Sequence, residues 1–297
     1  MTSDIAPDRL SFVLPARNER ESLQRLLPSL IARYPAAEII VVDDGSTDGS
    51  REWLTQQPVR TIHHPYSKGN GAAIKNGARA ATREIMVLMD ADGQHRPDDV
   101  DLLLGQYAKG YDMVVGARSR NGQASIGRWI VNSIYNRLSS WMVNHRIQDL
   151  TSGFRVVRLE KFREFLPLLP NGFSYPTTIT MAFFRAGYSI AYLPVNVQER
   201  LGTSHIRPLR DGVRFFLVIF RVGTLYSPLK IFAPISLVFF LLGAGYYLYT
   251  YLAYGRFTNM SALLISTSVI IGLIGLVSEQ ITSLLYAHQD SDPSRRG

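Results

Sequence analysis

The sequence predicts an α/β fold: a mainly parallel sheet with helices on both faces, continued by amphipathic interface helices and two C-terminal transmembrane helices. Three observations carry this. Short apolar runs alternate with helical periods from residue 10 to about residue 115, the pattern of a parallel sheet with crossover helices. Several runs stop at acidic residues, which places carboxylates at the carboxyl ends of strands, the edge where open α/β sheets bind ligands. Past residue 230 the chain is almost uncharged for about fifty residues.

Taken in order, Leu10 to Leu14 is a short strand ending at Pro15. Ala16, Arg17, Asn18 and Glu19 follow, then a helix to about Arg33 in which Leu23, Leu26, Leu27, Leu30 and Ile31 recur at helical spacing. Glu38 to Val42 is the second strand, with Asp43, Asp44, Gly45, Ser46, Thr47 and Asp48 just past its end. A ribose hydroxyl pair and a base edge suit such carboxylates. In the plain reading Ser46 or Asp48 caps a helix of Gly49 to Gln56, and both readings can hold at once. A third strand, Val59 to His63, leads through Lys68-Gly69-Asn70-Gly71 into a helix to about Ala81. No Walker P-loop is present. The loop is either a plain one with an exposed lysine or a close approach to a phosphate.

Ile85 to Met89 is a nearly continuous apolar run, as a strand buried on both faces reads. It stops at Asp90, and Ala91 alone separates it from Asp92. Two carboxylates there require a counter-charge. A divalent cation is the simplest, since hard cations take oxygen ligands, and Gln94 adds a neutral oxygen. The plain alternative is a solvated turn with Gly93 and Pro97 as turn residues. A helix near Asp98 to Tyr107 and a strand at Asp112 to Val115 complete the alternation.

Arg118, Arg120 and Arg128 then lie in a Gly/Asn/Ser-rich segment, before an amphipathic helix of about Arg128 to Asn144. In Asp149-Leu150-Thr151-Ser152-Gly153-Phe154-Arg155, the acid and the arginine either pair with each other or line the site. Pro176 to Ala186 reads as a helix and Ser189 to Pro194 as a strand. The polar run Glu199 to His205 reads as a loop that orders over a ligand. Arg210, Arg214 and Arg221 share one face of an otherwise apolar helix, which suits a membrane interface or packing inside the protein.

Ile231 to Leu252 runs 22 residues without a charge, about 33 Å as a helix, enough to span a hydrocarbon core. Ala262 to Leu285 is a second span, with Glu279 and Gln280 expected to snorkel or to pair between helices. Arg207, Arg210, Arg214, Arg221 and Lys230 precede the first span, Arg295 and Arg296 follow the second, and Arg256 alone lies between. The positive-inside rule then puts the large domain and both termini in the cytoplasm. The opening residues show no basic segment followed by an apolar one, so no secretory signal is expected. The predicted layout is a catalytic domain over 1–206, an interface helix over 207–230, a transmembrane hairpin over 231–288 and a cytoplasmic tail over 289–297.

Composition narrows the partners. The 297 residues contain no cysteine, which excludes disulfides and thiolate metal sites. A net charge of +8 suits nucleic acid, an anionic membrane surface or an anionic substrate. The apolar tail favours the last two, and no nucleic-acid partner is expected.

The motifs resemble a family. PARNE at 15–19, VVDDGSTDGS at 41–50, KGNGAA at 68–73, DADGQH at 90–95, DLTSGFR at 149–155 and ER-x-x-x-SH at 199–205 occur in order. Together they resemble family 2 glycosyltransferases of the GT-A fold, specifically the dolichol- or polyprenyl-phosphate sugar synthases of the dolichol-phosphate mannose synthase type. The resemblance covers about residues 10 to 230. It implies transfer of a hexose from GDP- or UDP-sugar to a lipid phosphate in the bilayer, mannose before glucose. It implies donor contacts from Pro15, Arg17, Glu19, Val42, Asp43, Asp44, Lys68, Gly69, Asp90, Ala91 and Asp92. Mg2+ or Mn2+ is implied on Asp90, Asp92 and Gln94. Arg118, Arg128, Asn132, Arg200, Ser204 and His205 are implied at the acceptor phosphate, and a homo-oligomer stays open. Arg17 stands where relatives often carry an aromatic residue, and Asn132 where some carry Ser.

The chemistry agrees. A cation on the donor phosphates stabilises the departing nucleoside diphosphate, and arginines recognise a lipid phosphate well. That phosphate, with a second pKa near 6, is already a nucleophile at neutral pH. Asp92, Asp149 and Arg200 are the residues expected to serve the reaction, Asp149 by orienting groups. A processive polysaccharide synthase would carry Q-x-x-R-W, but Gln198 is followed by Glu199, Arg200, Leu201 and Gly202. A non-enzymatic membrane protein with a vestigial site and a membrane-anchored transferase with a different lipid or a soluble acceptor are the other rivals.

Overall fold

The structure is a computed structural model describing residues 5–118, 126–172, 175–196, 220, 223, 224 and 226–290, with the backbone alone of 126–132, 134 and 285–290. The chain divides into two compact units, one of residues 1–141 and 145–211, the other of residues 142–144 and 212–297.

The first unit is built on seven strands. In chain order its elements are β1 (Leu10–Ala16), α1 (Arg20–Arg33), β2 (Glu38–Asp43), α2 (Ser50–Leu54), β3 (Arg60–His63) and α3 (Asn70–Ala80). Then come β4 (Ile85–Leu88), α4 (Pro97–Tyr107), β5 (Met113–Arg118), α5 (Ile126–Val143), β6 (Arg155–Arg158), α6 (Leu159–Glu164), α7 (Tyr175–Arg185) and β7 (Ile190–Val195). Spatial order is β3-β2-β1-β4-β6-β5-β7. The predicted parallel pairing holds for β3-β2-β1-β4 and for β5 with β7, whereas β6 runs antiparallel to both of its neighbours. The sequence reading had no strand at Arg155–Arg158. It is four residues long and bounded by arginines, so no apolar alternation marks it.

Both faces of the central strands are covered. Leu10, Phe12 and Leu14 join one hydrophobic core with Leu23, Leu26, Leu27 and Leu30 of α1 and Val100, Leu103 and Leu104 of α4. The three- and four-residue spacing in α1 puts its leucines on one side, and burying each contributes about 1.5–3 kcal/mol. From β1 the chain steps outward to β2 and β3, then returns to the far side of β1 for β4. That reversal opens a crevice outside the carboxyl ends of β1 and β4, where doubly wound sheets take ligands.

The second unit contains α8 (Pro228–Tyr254) and α9 (Asn259–Asp290). Both are long and apolar enough to cross a membrane, with 6% and 17% of their most apolar stretches buried. Gly255, at φ +59, ends α8 in the left-handed conformation, and its N–H bonds Tyr251 O, a glycine helix stop. Ser236 Oγ donates to Ser268 O across the hairpin at 2.8 Å. Glu279, expected to snorkel or pair, accepts the Leu229 N–H in the first turn of α8 at 3.3 Å, which satisfies an amide left open at the helix start. Lys230 Nζ donates to Met142 O and Asn144 Oδ1, both at 2.9 Å. Most of the predicted interface helix over 207–230 lies outside the described residues.

Candidate active site

The site starts from three strand ends held in register. Ala16 pairs with Asp43, and Asp43 with His63. Beyond them, Asp44 N bonds Ala16 O and His64 N bonds Asp43 O, each at 2.8 Å. The carboxylates of Asp43, the last residue of β2, and of Asp44 just past it are buried. Asp43 Oδ1 accepts Ser46 N at 2.9 Å, and its Oδ2 lies 3.2 Å from both Arg51 Nε and His63 Nδ1. Asp44 Oδ1 lies 2.7 Å from His64 Nδ1 and accepts Lys68 N at 2.7 Å; its Oδ2 accepts Ser67 Oγ at 2.7 Å and Gly69 N at 2.9 Å. Burial alone would push both pKa values up, but these hydrogen bonds outweigh it and hold both acids below the usual carboxylate range.

The predicted cap of α2 falls differently. Gly49 holds the N-cap position with no side-chain cap. Asp48 binds Ser50 through Oδ1 and the Arg20 amide, at the start of α1, through Oδ2. Ser46 Oγ accepts Asn18 N at 2.9 Å. These side chains therefore knit the loops after β1 and β2 together.

The Lys68–Gly71 loop is also spoken for at the backbone. Its Lys68 and Gly69 amides point at Asp44, while Gly71 N bonds Gly172 O and Ala72 N bonds Asn171 O. Those open helix-start amides are the groups that bind phosphate when left available. Here a phosphate contact would fall to side chains instead. Lys68 and Asn70 are exposed. Tyr66, 67% exposed, stands over Gly45: a Cβ there would lie 2.8 Å from Tyr66 C and from Ser67 N. The Lys68 Nζ is 5.8 Å from the Tyr66 ring centre.

Past β4, Asp90, Asp92 and Gln94 are half-buried, around a turn closed by Gly93 at φ +74. Asp92 Oδ1 accepts Gln94 N at 3.1 Å. Asp90 shares a small cavity with Asn70, Thr151, Gly153, Tyr175, Pro176 and Thr177. Of these, Tyr175 and Thr177 carried no signal in the sequence, since they open a helix with no charge before Arg185. Tyr135 Oη sits 2.8 Å from Thr177 Oγ1, tying α5 to the cavity wall.

The loop between α5 and β6 forms the other side. Its Asp149 pairs with Arg118, not with Arg155. Arg118 Nε lies 2.9 Å and Arg118 N 3.2 Å from Oδ2, and Nη2 lies 3.1 Å from Oδ1. The Thr151 and Ser152 amides also donate to Asp149 Oδ1, and Arg118 Nη2 reaches Thr151 Oγ1. Burial pushes Asp149 up, but Arg118 and the loop amides bring it below the usual range. Arg118 is pushed down by burial and raised further by Asp149. Arg155, fully buried, donates to Ser152 O at 2.8 Å and Thr180 Oγ1 at 2.7 Å. His95 stacks on Phe154 with ring centres 4.5 Å apart, and burial, with Arg118 nearby, lowers its pKa to about 4.

The remaining predicted contacts divide as follows. Pro15 is half-buried, Val42 and Ala91 are buried, and Arg17 is exposed; Glu19 accepts Ser22 Oγ at 3.2 Å. Arg128 and Asn132 lie on α5 by backbone, their side chains outside the described residues, as are Arg200, Ser204 and His205 entirely. Among the described residues no group of three or more His, Cys, Asp or Glu side chains could hold a metal. The partial set of Asp90, Asp92 and Gln94 offers only oxygen ligands, and Asp90 borders a cavity. It fits Mg2+ or Mn2+, which one or two carboxylates hold together with substrate phosphates.

Comparison with known proteins places these features. The model of glycosyl transferase family 2 matches residues 11–166, and that of the GtrB C-terminal hairpin matches residues 227–284. Polyprenol monophosphomannose synthase of Mycolicibacterium smegmatis is 30% identical over 214 residues, 66% of this chain and 80% of its own. Undecaprenyl-phosphate mannosyltransferase of Micrococcus luteus is 29% identical over 215 residues, 66% and 86% respectively. Among solved structures, glucosyl-3-phosphoglycerate synthase from Mycobacterium tuberculosis, in complex with Mn2+, uridine-diphosphate and phosphoglyceric acid, aligns with a TM-score of 0.56 at 23% identity. The alignment covers 71% of this chain and 78% of that one, a likeness of fold.

Proposed function

The chain belongs to glycosyl transferase family 2, and from that premise we propose that it moves a hexose from a nucleotide sugar to a polyprenyl or dolichyl phosphate at a membrane. Mannose is the first candidate sugar and glucose the second, from a GDP- or UDP-linked donor. One observation carries the reading: the half-buried Asp90 and Asp92 lie at the crevice beside β1, in a chain that ends in two membrane-length apolar helices. The two mannosyl-transferring relatives act, by name, with polyprenol and undecaprenyl phosphate.

The roles follow from the chemistry. Asp90, Asp92 and the Gln94 side-chain carbonyl would hold Mg2+ or Mn2+ for the donor diphosphate. When bound, the ion offsets the charge that develops on the departing nucleoside diphosphate. Pro15, Arg17, Glu19, Val42 and Ala91 line the donor, and Lys68 supplies a positive charge to its phosphates. Tyr66 offers the base an exposed aromatic face, a role Arg17 fills less well. Asp43 and Asp44, with their oxygens engaged internally, act by holding the donor loops in place.

Arg118 faces the acceptor phosphate, oriented by Asp149; Arg128, Asn132, Arg200, Ser204 and His205 complete that contact. Asp149 accepts hydrogen bonds from Arg118 and two amides, so it positions rather than takes a proton. The acceptor monoester is ionised at neutral pH and needs no base. Direct attack by its oxygen on the anomeric carbon breaks the bond to the nucleoside diphosphate and inverts that centre. The basic residues flanking the spans orient the catalytic unit and both termini to the cytoplasm.

The test is a donor screen on the full-length protein in detergent or nanodiscs. GDP-mannose, UDP-glucose and UDP-N-acetylglucosamine are each offered with polyprenyl phosphate or with a free sugar, in Mn2+ or in EDTA. Label should pass to the lipid phase from one donor, and only with the divalent ion. Label on the free sugar with none on the lipid would overturn the acceptor assignment.

A further inference from the structure

We infer that Gly153 is a positioning residue for Asp90, its missing side chain leaving the seat in which the Asp90 carboxylate rests. The inference builds on the metal role proposed for Asp90. A Cβ placed on Gly153 would lie 2.6 Å from Asp90 Oδ2, 3.1 Å from Oδ1 and 3.2 Å from Cγ. Carbon-to-oxygen contacts in proteins settle at about 3.3–3.6 Å. The carboxyl group thus sits in the space beside Gly153 that a methyl group there would need.

No turn geometry accounts for a glycine at this position. Gly153 is absent from the positive-φ residues, so alanine meets no backbone penalty of that kind. The three atoms nearest to such a Cβ all belong to the end of the Asp90 side chain.

The loop cannot retreat, because it is pinned on every side. Asp149 takes the amides of Thr151 and Ser152. Ser152 Oγ donates to Gly116 O at 2.6 Å, and Gly116 N to Phe154 O at 3.0 Å. Tyr175 Oη donates to Gly153 O at 3.4 Å, and Arg155 holds Ser152 O. A side chain at 153 therefore rotates Asp90 rather than displacing the loop. Residues 63 positions apart in the sequence form one device: the acid supplies the oxygens, and the glycine sets their direction.

The experiment uses the full-length protein, with Mn2+ affinity read by electron paramagnetic resonance in the presence of GDP or UDP, and thermal unfolding read in EDTA. Gly153→Ala should weaken Mn2+ binding at least tenfold while shifting the metal-free midpoint by no more than a few degrees. Gly105→Ala, with no atom within 4 Å of its new methyl, should leave both unchanged. Wild-type Mn2+ affinity in Gly153→Ala overturns the inference.

A double-mutant cycle with Asp90→Ala decides the case in which Gly153→Ala is poorly folded. If the acid is what the methyl strikes, Gly153→Ala costs nothing further once Asp90 is alanine. An equal cost in both backgrounds overturns the contact. Should the wild-type protein bind no Mn2+ at all, the metal assignment fails, and the cycle still settles whether Gly153 seats the carboxylate.

Discussion

Two pairs of acids follow two strands of the same sheet, and the fold treats them oppositely. Asp43 and Asp44 after β2 are buried, and every oxygen of Asp44 has internal donors. Asp90 and Asp92 after β4 are half-buried, and Asp90 borders a cavity. In sequence the two look alike, as a hydrophobic run ending in acids and a glycine. The difference lies in what surrounds them. Behind β2 stands a loop dense in amides and hydroxyls that needs an acceptor. Beside Asp90 lies Gly153, where a side chain would meet the carboxylate. In the proposed function the first pair builds the site, and the second binds in it.

The largest expected effect breaks that comparison at its open end. Asp92→Ala should lower transfer by about a thousandfold, about 4 kcal/mol at the transition state, with membrane insertion and unfolding midpoint unchanged. Near-normal turnover would remove Asp92 from the metal set.

At the closed end, Asp44→Ala strands the Lys68 and Gly69 amides and His64 without their acceptor. A loss of about 3 kcal/mol in stability is expected, seen as a lower unfolding midpoint with no ligand present. If the midpoint held and only nucleotide affinity collapsed, Asp44 would be a ligand contact and the contrast would dissolve.

Acid pH sharpens the comparison. The folded state holds His95 near pKa 4, against an ordinary value of 6.5. Below pH 6.5 the unfolded chain takes up a proton that the folded chain refuses until about pH 4. Stability present at pH 7.5 is thus lost as pH falls through that window, by about 2 kcal/mol between pH 7.5 and 5. Unfolding in EDTA at the two pH values measures this, and His95→Phe should flatten it. Asp44 and Asp43, both held low, lose their contribution only below the ordinary carboxylate range.

The smallest effect concerns the exposed ring on the closed side. Tyr66→Ala should weaken nucleoside diphosphate binding about tenfold, the low end of what a stacked base contributes, while Tyr66→Phe retains it. Unchanged affinity in Tyr66→Ala would leave the base without an aromatic partner.

What was legible in the sequence divides along physical lines. β1, β2 and β4 announce themselves because strands buried on both faces need unbroken apolar runs. β6 does not, because Arg155 at its head is charged yet fully buried, and four residues leave no period to read. The acids at strand ends were visible from local pattern alone. Their partners were not: Arg118 lies 31 residues from Asp149, and Asp48 serves the amide of Arg20, 28 residues away. Hydrogen bonds across such separations depend on sheet order, which no local window contains. The Tyr175 and Thr177 side of the cavity was hidden for the same reason.

Under the donor role proposed for it, the loop fastened to Asp44 has a kinetic meaning. A segment clamped at two amides and a hydroxyl arrives at each encounter already in its working shape. The disorder it gives up was surrendered once, during folding, so little of the donor's contact energy is diverted into rearranging the protein. Successive turnovers then meet the same rigid socket.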